Sequence, residues 1–149
     1  RCSITMVAVS DGIAIDASPE TVFEYLDKPA NHRTITPAIT DITNVEPIDN
    51  GGKELDFTYR MVAVEVEGHL VQTVHEPPTC HRFAMDGALS GELTFDIEAT
   101  DDGSWVTYTA EYTIPGQVIA RVIEPFVRRY NQGELQSTLA NLKAKIEAA

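Results

Sequence analysis

The sequence predicts an α+β fold in which a curved antiparallel sheet of six to seven strands surrounds a long C-terminal helix. Between about residues 40 and 114, apolar and polar side chains alternate, as they do in strands with one buried face. From residue 117 to about residue 147 the apolar spacing becomes helical. Since one helix covers little of a wide flat sheet, we expect the sheet to curl around it.

The N-terminal segment predicts one strand followed by two short helices. Residues 4–15 alternate as a strand, and Asp11–Gly12 favours a bulge that would turn the Asp11 carboxylate outward, away from a general-base role. Ser18 is a typical helix N-cap, and Pro19 suits the first helical position. Residues 30–38 then predict a second short helix or a loop.

Turn signals divide the central region into successive strands. Asp49–Gly52, Pro77–Pro78 and Asp101–Gly103 are turn sequences, and a bend is expected near Gly68. The predicted strands cover residues 40–48, 53–64, 69–75, 81–86, 89–99 and 105–114.

Composition narrows the classes of partner. The 149 residues suggest one domain spanning residues 1–149, and they include 23 Asp or Glu against 11 Lys or Arg, a net charge of −12. Such a surface repels nucleic acid and anionic membranes, and no apolar run is long enough to span a bilayer. A halophilic source and an ordinary acidic protein fit this charge equally well.

Two cysteines and the lack of a charged-then-apolar leader lead us to expect a reduced, cytoplasmic protein. No P-loop, dinucleotide-binding glycine motif or zinc-ligand spacing is present, so we expect no cofactor and no metal. The sequence leaves the oligomeric state open.

Two segments and the element order resemble the START-like (SRPBCC) superfamily, and within it the polyketide cyclase/dehydrase and lipid-transport branch. Ile15–Asp27 is similar to the branch's strand-to-helix segment, and Leu139–Glu147 to its closing helix. The resemblance implies the helix-grip fold. It also implies a small hydrophobic or amphipathic ligand held between sheet and helix. Members of the branch cyclise or dehydrate polyketides, carry lipids or quinones, or sense ligands.

Strand parity and helical spacing select the side chains that face a space between sheet and helix. By parity alone these side chains equally fill a packed core, so the resemblance is what favours a cavity. The candidate ligand-binding residues are Phe57, Tyr59, Met61, Phe83, Met85, Phe95, Tyr108 and Tyr112 from the strands and Ile119, Ile123 and Phe126 from the helix.

Three functions remain open at this point. The first is binding of a polyketide-like, lipid or isoprenoid molecule in the cavity. The second is a cofactor-free cyclase or dehydratase, in which His81 would move protons while Tyr108 or Tyr112 donates a hydrogen bond. The third is an interaction protein with a filled core. His81 is singled out because it shares strand parity with Phe83 and Met85.

Overall fold

One antiparallel sheet dominates the computed structural model, which describes residues 4–61, 64–87, 89–115 and 124–149. Across the sheet the strands follow the order β1-β7-β6-β5-β4-β3-β2, so the chain meanders and then closes β7 against β1. The strands are β1 (Ile4–Ile15), β2 (Ile39–Pro47), β3 (Lys53–Met61), β4 (Val64–Glu76), β5 (Cys80–Gly87), β6 (Ser90–Thr100) and β7 (Gly103–Pro115). The predicted antiparallel sheet is confirmed, with the upper of the two expected strand counts.

Two short helices follow β1, as the sequence predicts. Helix α1 (Pro19–Leu26) is capped by Ser18, whose hydroxyl accepts a hydrogen bond from the backbone N–H of Thr21 at 3.2 Å. Helix α2 (Pro29–Ile35) starts at once, with its own proline in the first turn.

The long C-terminal helix α3 (Glu124–Glu147) packs on the sheet. It contacts β1, β7 and also β3, which lies five strands from β1 in the sheet order. In a flat sheet that separation is about 24 Å, roughly twice the width of a helix. The sheet therefore curves around α3, as expected. The beginning of the predicted helix, residues 117–123, lies outside the described residues.

The predicted bulge at Asp11–Gly12 is wrong. The pairing of β1 with β7 runs without a shift from Ile4 to Ile15, and Asp11 lies directly opposite Tyr108. A regular strand keeps Asp11 on the same face as buried Val9, but the carboxylate is exposed beside α3, where it accepts a hydrogen bond from Gln136 at 3.1 Å. Gly12 instead makes room for the Trp105 ring, which a Cβ would meet at 2.5 Å.

Gly68 places a key aromatic ring rather than ending a strand. Strand β4 continues through it, and a Cβ at this position would lie 2.7 Å from the ring of Phe57. That is closer than van der Waals contact allows, so the glycine lets the end of the Phe57 ring approach the backbone of β4. Phe57 borders both of the hollows described next.

Candidate functional site

Two hollows lie on the inner face of the sheet. The α3 hollow, of about 70 Å³, is closed by α3, and the α2 hollow, of about 50 Å³, is closed by α1 and α2. Each exceeds the room that one water molecule needs. Both are bordered by the same dividing side chains, which are Thr36, Ile39, Phe57, Leu70, Leu93 and Tyr108. The two hollows are therefore adjacent, and we treat them as one divided site with a shared wall of side chains.

The strand residues selected by parity border these hollows. Those on the α3 hollow are Phe57, Tyr59, Met85, Tyr108 and Tyr112, and those on the α2 hollow are Phe57, Phe83, Phe95 and Tyr108. Met61 lies in β3 and Phe126 in α3, but their side chains are outside the described part of the structure, as are Ile119 and Ile123 entirely.

Three tyrosines with polar hydroxyl groups, Tyr59, Tyr108 and Tyr112, border the α3 hollow. The Tyr59 hydroxyl donates to Oδ1 of Asn131 in α3 at 3.1 Å. Burial raises the pKa of Tyr59, and it raises the pKa of Tyr108 to about 12. Burial likewise raises the pKa of Tyr112, with a smaller rise from Tyr108 and a partial offset from the nearby Asn131 amide. These phenols therefore stay neutral at physiological pH and can act as hydrogen-bond donors.

Asn131 is an incompletely satisfied buried amide. Its side chain is 3% exposed, and its Nδ2 atom has no hydrogen-bond partner among the described residues. The approach to Tyr112 falls short of hydrogen-bond geometry. A buried amide donor left unpaired costs about 1–3 kcal/mol, so such groups are rare and require an explanation.

Two further polar side chains of α3 border the same hollow. Thr138 is buried and its hydroxyl is hydrogen-bonded to that of Thr36 at 3.0 Å, which ties α3 to the end of α2. Glu134 is half-buried, and its negative charge adds to the raised pKa of Tyr59. The α3 hollow thus combines apolar walls with an amide donor, phenol groups and one carboxylate.

The α2 hollow is bordered by a histidine that the sequence did not single out as a site residue. The Nε2–H of His32 donates to the Leu26 carbonyl at 2.6 Å, and its ring edge contacts Phe83 and Phe95. Burial lowers the pKa of His32, against smaller opposing effects of the Leu26 carbonyl and Asp27. The ring is therefore neutral at pH 7 and part of the hollow's wall.

An ion-paired rim closes one side of the α2 hollow. Asp27 accepts a hydrogen bond from Nε2 of His75 at 3.0 Å, and the Lys53 ammonium lies 3.9 Å from the same carboxylate oxygen. Pro29 and Ile42 border both this hollow and an open surface groove between α2 and β2. The groove therefore adjoins the α2 hollow on its solvent side.

His81 lies elsewhere, beneath α1. It is 0% exposed, stacks on Phe23 with ring centroids 3.9 Å apart, and borders neither hollow. Its Nε2–H donates to the Phe23 carbonyl at 3.1 Å, and its Nδ1 accepts from the Gln72 amide at 2.8 Å. Burial lowers the pKa of His81 to about 4. With both ring nitrogens occupied, this geometry does not support proton transfer to a ligand.

Sequence reasoning missed the polar residues of α3, although a signal was present. Asn131 and Thr138 lie four residues before and three residues after Leu135, positions that share one face of a helix. Polar side chains at buried helical positions are candidates for a site, whereas the predicted helix face was defined by its apolar residues alone. His32 gave no comparable signal, because its segment was not assigned to a helix with a defined face.

Other chemistry is not visible in the described residues. Among them, no three His, Cys, Asp or Glu side chains converge as metal ligands would. Within the same ranges, none of the helices has the length and hydropathy needed to cross a membrane.

Comparisons of structure identify the fold. The aromatase/cyclase Zhui from Streptomyces sp. R1128 superposes with a TM-score of 0.80 over 96% of this chain and 94% of its own, at 9% identity. A START superfamily protein from Mycobacterium smegmatis gives 0.71 over 96% and 97% of the two chains, at 14% identity. The protein Ara h 8.0201 gives 0.68 over 97% and 100%, also at 14% identity.

At these identities the likeness shows the fold alone, and it confirms the helix-grip fold that the sequence predicts. No curated protein matches the chain. Residues 6–147, nearly the whole sequence, match the family described as polyketide cyclase / dehydrase and lipid transport. Members of this family bind hydrophobic ligands or act as aromatase/cyclases. The chain belongs to the polyketide cyclase/dehydrase and lipid transport family.

Proposed function

We propose that the protein binds a hydrophobic or amphipathic small molecule, of polyketide-like, lipid or isoprenoid type, in the divided site between the sheet and the helices that cover it, with α3 over one half. The observation that carries this proposal is the pair of adjacent hollows with apolar walls. A protein with a filled core, the interaction-protein alternative, would pack these side chains against one another, since interiors are normally close-packed.

The cyclase or dehydratase alternative has weaker support. It needs a proton carrier beside Tyr108 and Tyr112, and His81 is held under α1 with both nitrogens engaged. Binding without chemistry requires only the apolar walls and a few polar contacts, all of which the described residues supply.

Retention of a ligand tests the proposal directly. Native mass spectrometry of the purified protein should show an added mass that denaturation removes. Equilibrium dialysis with 2-ethylnaphthalene, an apolar probe, should show saturable binding with one site per chain, for which the shared wall of the two hollows has to give way.

Filling the α3 hollow should abolish that binding. Ala110 is 5% exposed and borders the hollow, so Ala110→Leu places three extra carbons in it. Ala8→Leu is the matched control, because Ala8 is exposed on β1. If Ala110→Leu fails to fold, Leu93→Trp fills the shared wall instead. Unchanged probe binding in a folded filled variant would contradict the proposal.

A further inference from the structure

The unpaired amide in the α3 hollow points to the chemistry of the ligand. Asn131 is buried, borders the hollow and has one amide hydrogen-bond donor without a partner in the described residues. A buried donor of this kind is stabilised when an acceptor arrives, so its cost in the empty protein becomes affinity in the bound one.

The neighbouring contact determines which end of the amide faces the ligand. The Tyr59 hydroxyl donates to Oδ1 of Asn131, so the amide oxygen is occupied, and the Nδ2 atom on the other side lies near the Tyr112 phenol without a hydrogen bond to it. The open position is therefore a donor, which calls for an oxygen or nitrogen acceptor on the ligand.

The charge near this position selects among acceptors. Glu134 borders the same hollow and sits three residues from Asn131 in α3, close enough for its charge to affect Tyr59. No Lys or Arg borders the hollow among the described residues. A ligand carboxylate would leave water without a counter-charge and face the Glu134 carboxylate, both of which oppose binding.

We infer that the α3 hollow takes a neutral ligand whose carbonyl oxygen accepts a hydrogen bond from Nδ2 of Asn131, and that it excludes carboxylates. This inference rests on the proposed function and makes its ligand class specific: a ketone, aldehyde or ester on an apolar body, and not a free fatty acid. The phenols of Tyr108 and Tyr112 border the same space and offer further neutral donors.

Three probes of nearly equal shape test the inference by equilibrium dialysis: 2-acetylnaphthalene, 2-ethylnaphthalene and 2-naphthoate. We expect the ketone to bind about tenfold more tightly than the hydrocarbon, the usual range for one buried hydrogen bond. The carboxylate should bind at least tenfold more weakly than the ketone.

Two matched variants test whether the preference for the ketone over the hydrocarbon depends on Nδ2 of Asn131. Asn131→Leu should bring the two neutral probes to within about twofold of each other while the hydrocarbon still binds. Asn141→Leu is the control on the same helix, because the Asn141 amide donates to the Ile35 carbonyl at 2.9 Å and does not border the hollow. That variant should retain the preference for the ketone.

A second pair of variants tests the expected exclusion of carboxylates. Glu134→Gln should improve 2-naphthoate binding about fivefold relative to the ketone, whereas Glu98→Gln removes an equal charge from an exposed position outside the hollow and should not.

The possible failures are distinguishable. Equal binding of ketone and hydrocarbon, or a preference that survives Asn131→Leu or disappears in Asn141→Leu, overturns the inference and leaves the proposed function standing. Absence of binding by both neutral probes overturns the proposed function and the inference together.

Discussion

Two buried polar groups on the inner side of this sheet differ in one respect. Beneath α1, His81 has both ring nitrogens hydrogen-bonded, to Gln72 and to the Phe23 carbonyl. Beneath α3, Asn131 has its oxygen bonded to Tyr59 and its nitrogen unpaired. The first environment is complete without a ligand, whereas the second is complete only when an acceptor is added.

This difference separates polar groups that stabilise the fold from those available for binding. Residue type alone would favour His81 over Asn131 as a functional residue, since histidine takes part in catalysis far more often than asparagine does. Hydrogen-bond completeness is the more informative criterion, because a buried group with every partner in place has no capacity left for a ligand.

The largest expected change in the free energy of unfolding comes from truncating an aromatic side chain in each of the two regions. Phe23 is 3% exposed, packs on His81 and borders no hollow, so Phe23→Ala should lower the free energy of unfolding by about 4 kcal/mol. Phe95 is 2% exposed but borders the α2 hollow, so Phe95→Ala should cost about 2 kcal/mol. Urea unfolding of both variants measures the difference.

Equal costs near 4 kcal/mol would mean that the region around Phe95 is as tightly packed as that around Phe23. Combined with unchanged binding of a hydrophobic dye, that result would favour the filled-core alternative.

The next effect concerns pH. Burial lowers the pKa of His81 to about 4, while an unfolded histidine titrates near 6.5. The folded state therefore binds fewer protons in this range. The stability due to neutral His81 is present above about pH 6.5 and is lost as the pH falls toward 4, by about 3 kcal/mol in all. Buried His32, whose pKa is also lowered, acts in the same direction.

Urea unfolding between pH 8 and pH 5 tests this, because the carboxyl groups of Asp56 and Glu147, whose pKa values are lowered by their hydrogen bonds, lose their contribution to stability only below about pH 5. The half-buried His69 affects stability in the opposite direction, since hydrogen bonds to Asp56 and Glu54 raise its pKa. His69→Gln should therefore preserve the acid-side loss, and His81→Gln should reduce it. A flat wild-type profile would contradict the burial of a neutral His81.

The sequence predicts the fold more completely than the site, for a physical reason. Alternation along β3 and β7 reports which face is buried, and it correctly placed Tyr59, Tyr108 and Tyr112 on the inner side. The same alternation selected His81 but could not show that α1 would cover it. Hydrogen-bond completeness depends on contacts between residues far apart in the chain, such as Tyr59 and Asn131, and these exist only after folding.

A smaller change in stability is expected when the unpaired amide of Asn131 and the paired amide of Asn141 are each replaced. Asn131→Leu removes an unpaired donor and one hydrogen bond, so the free energy of unfolding should change by less than about 0.5 kcal/mol. Asn141→Leu breaks a satisfied bond to Ile35 and should cost about 1 kcal/mol. The double variant Tyr59→Phe/Asn131→Leu should be at least as stable as wild type. A loss above about 2 kcal/mol in Asn131→Leu would show a completed structural amide instead.

The last effect is common to both regions, because it arises from the net charge of −12. Self-repulsion of the acidic surface destabilises the compact state, and salt screens it over about 10 Å at 0.1 M. The melting temperature should therefore rise by several degrees from low to molar sodium chloride. Exposed ion pairs such as Arg60–Glu65 are weakened by the same screening, but such pairs contribute little.

A local variant separates this repulsion from a general salt effect. Glu92 and Glu111 are both exposed and face each other directly across β6 and β7, an arrangement of like charges that costs a few tenths of a kcal/mol or more. Glu92→Gln should raise the melting temperature at low salt, and the gain should shrink toward zero in molar salt. Glu98→Gln is the matched control, since Glu98 faces Trp105 rather than an acid. Two results together would contradict this prediction: a melting temperature that stays flat or falls with salt, and the same change of melting temperature in Glu92→Gln and Glu98→Gln. Repulsion between surface acids would then not limit stability, and the case for a halophilic source would be removed.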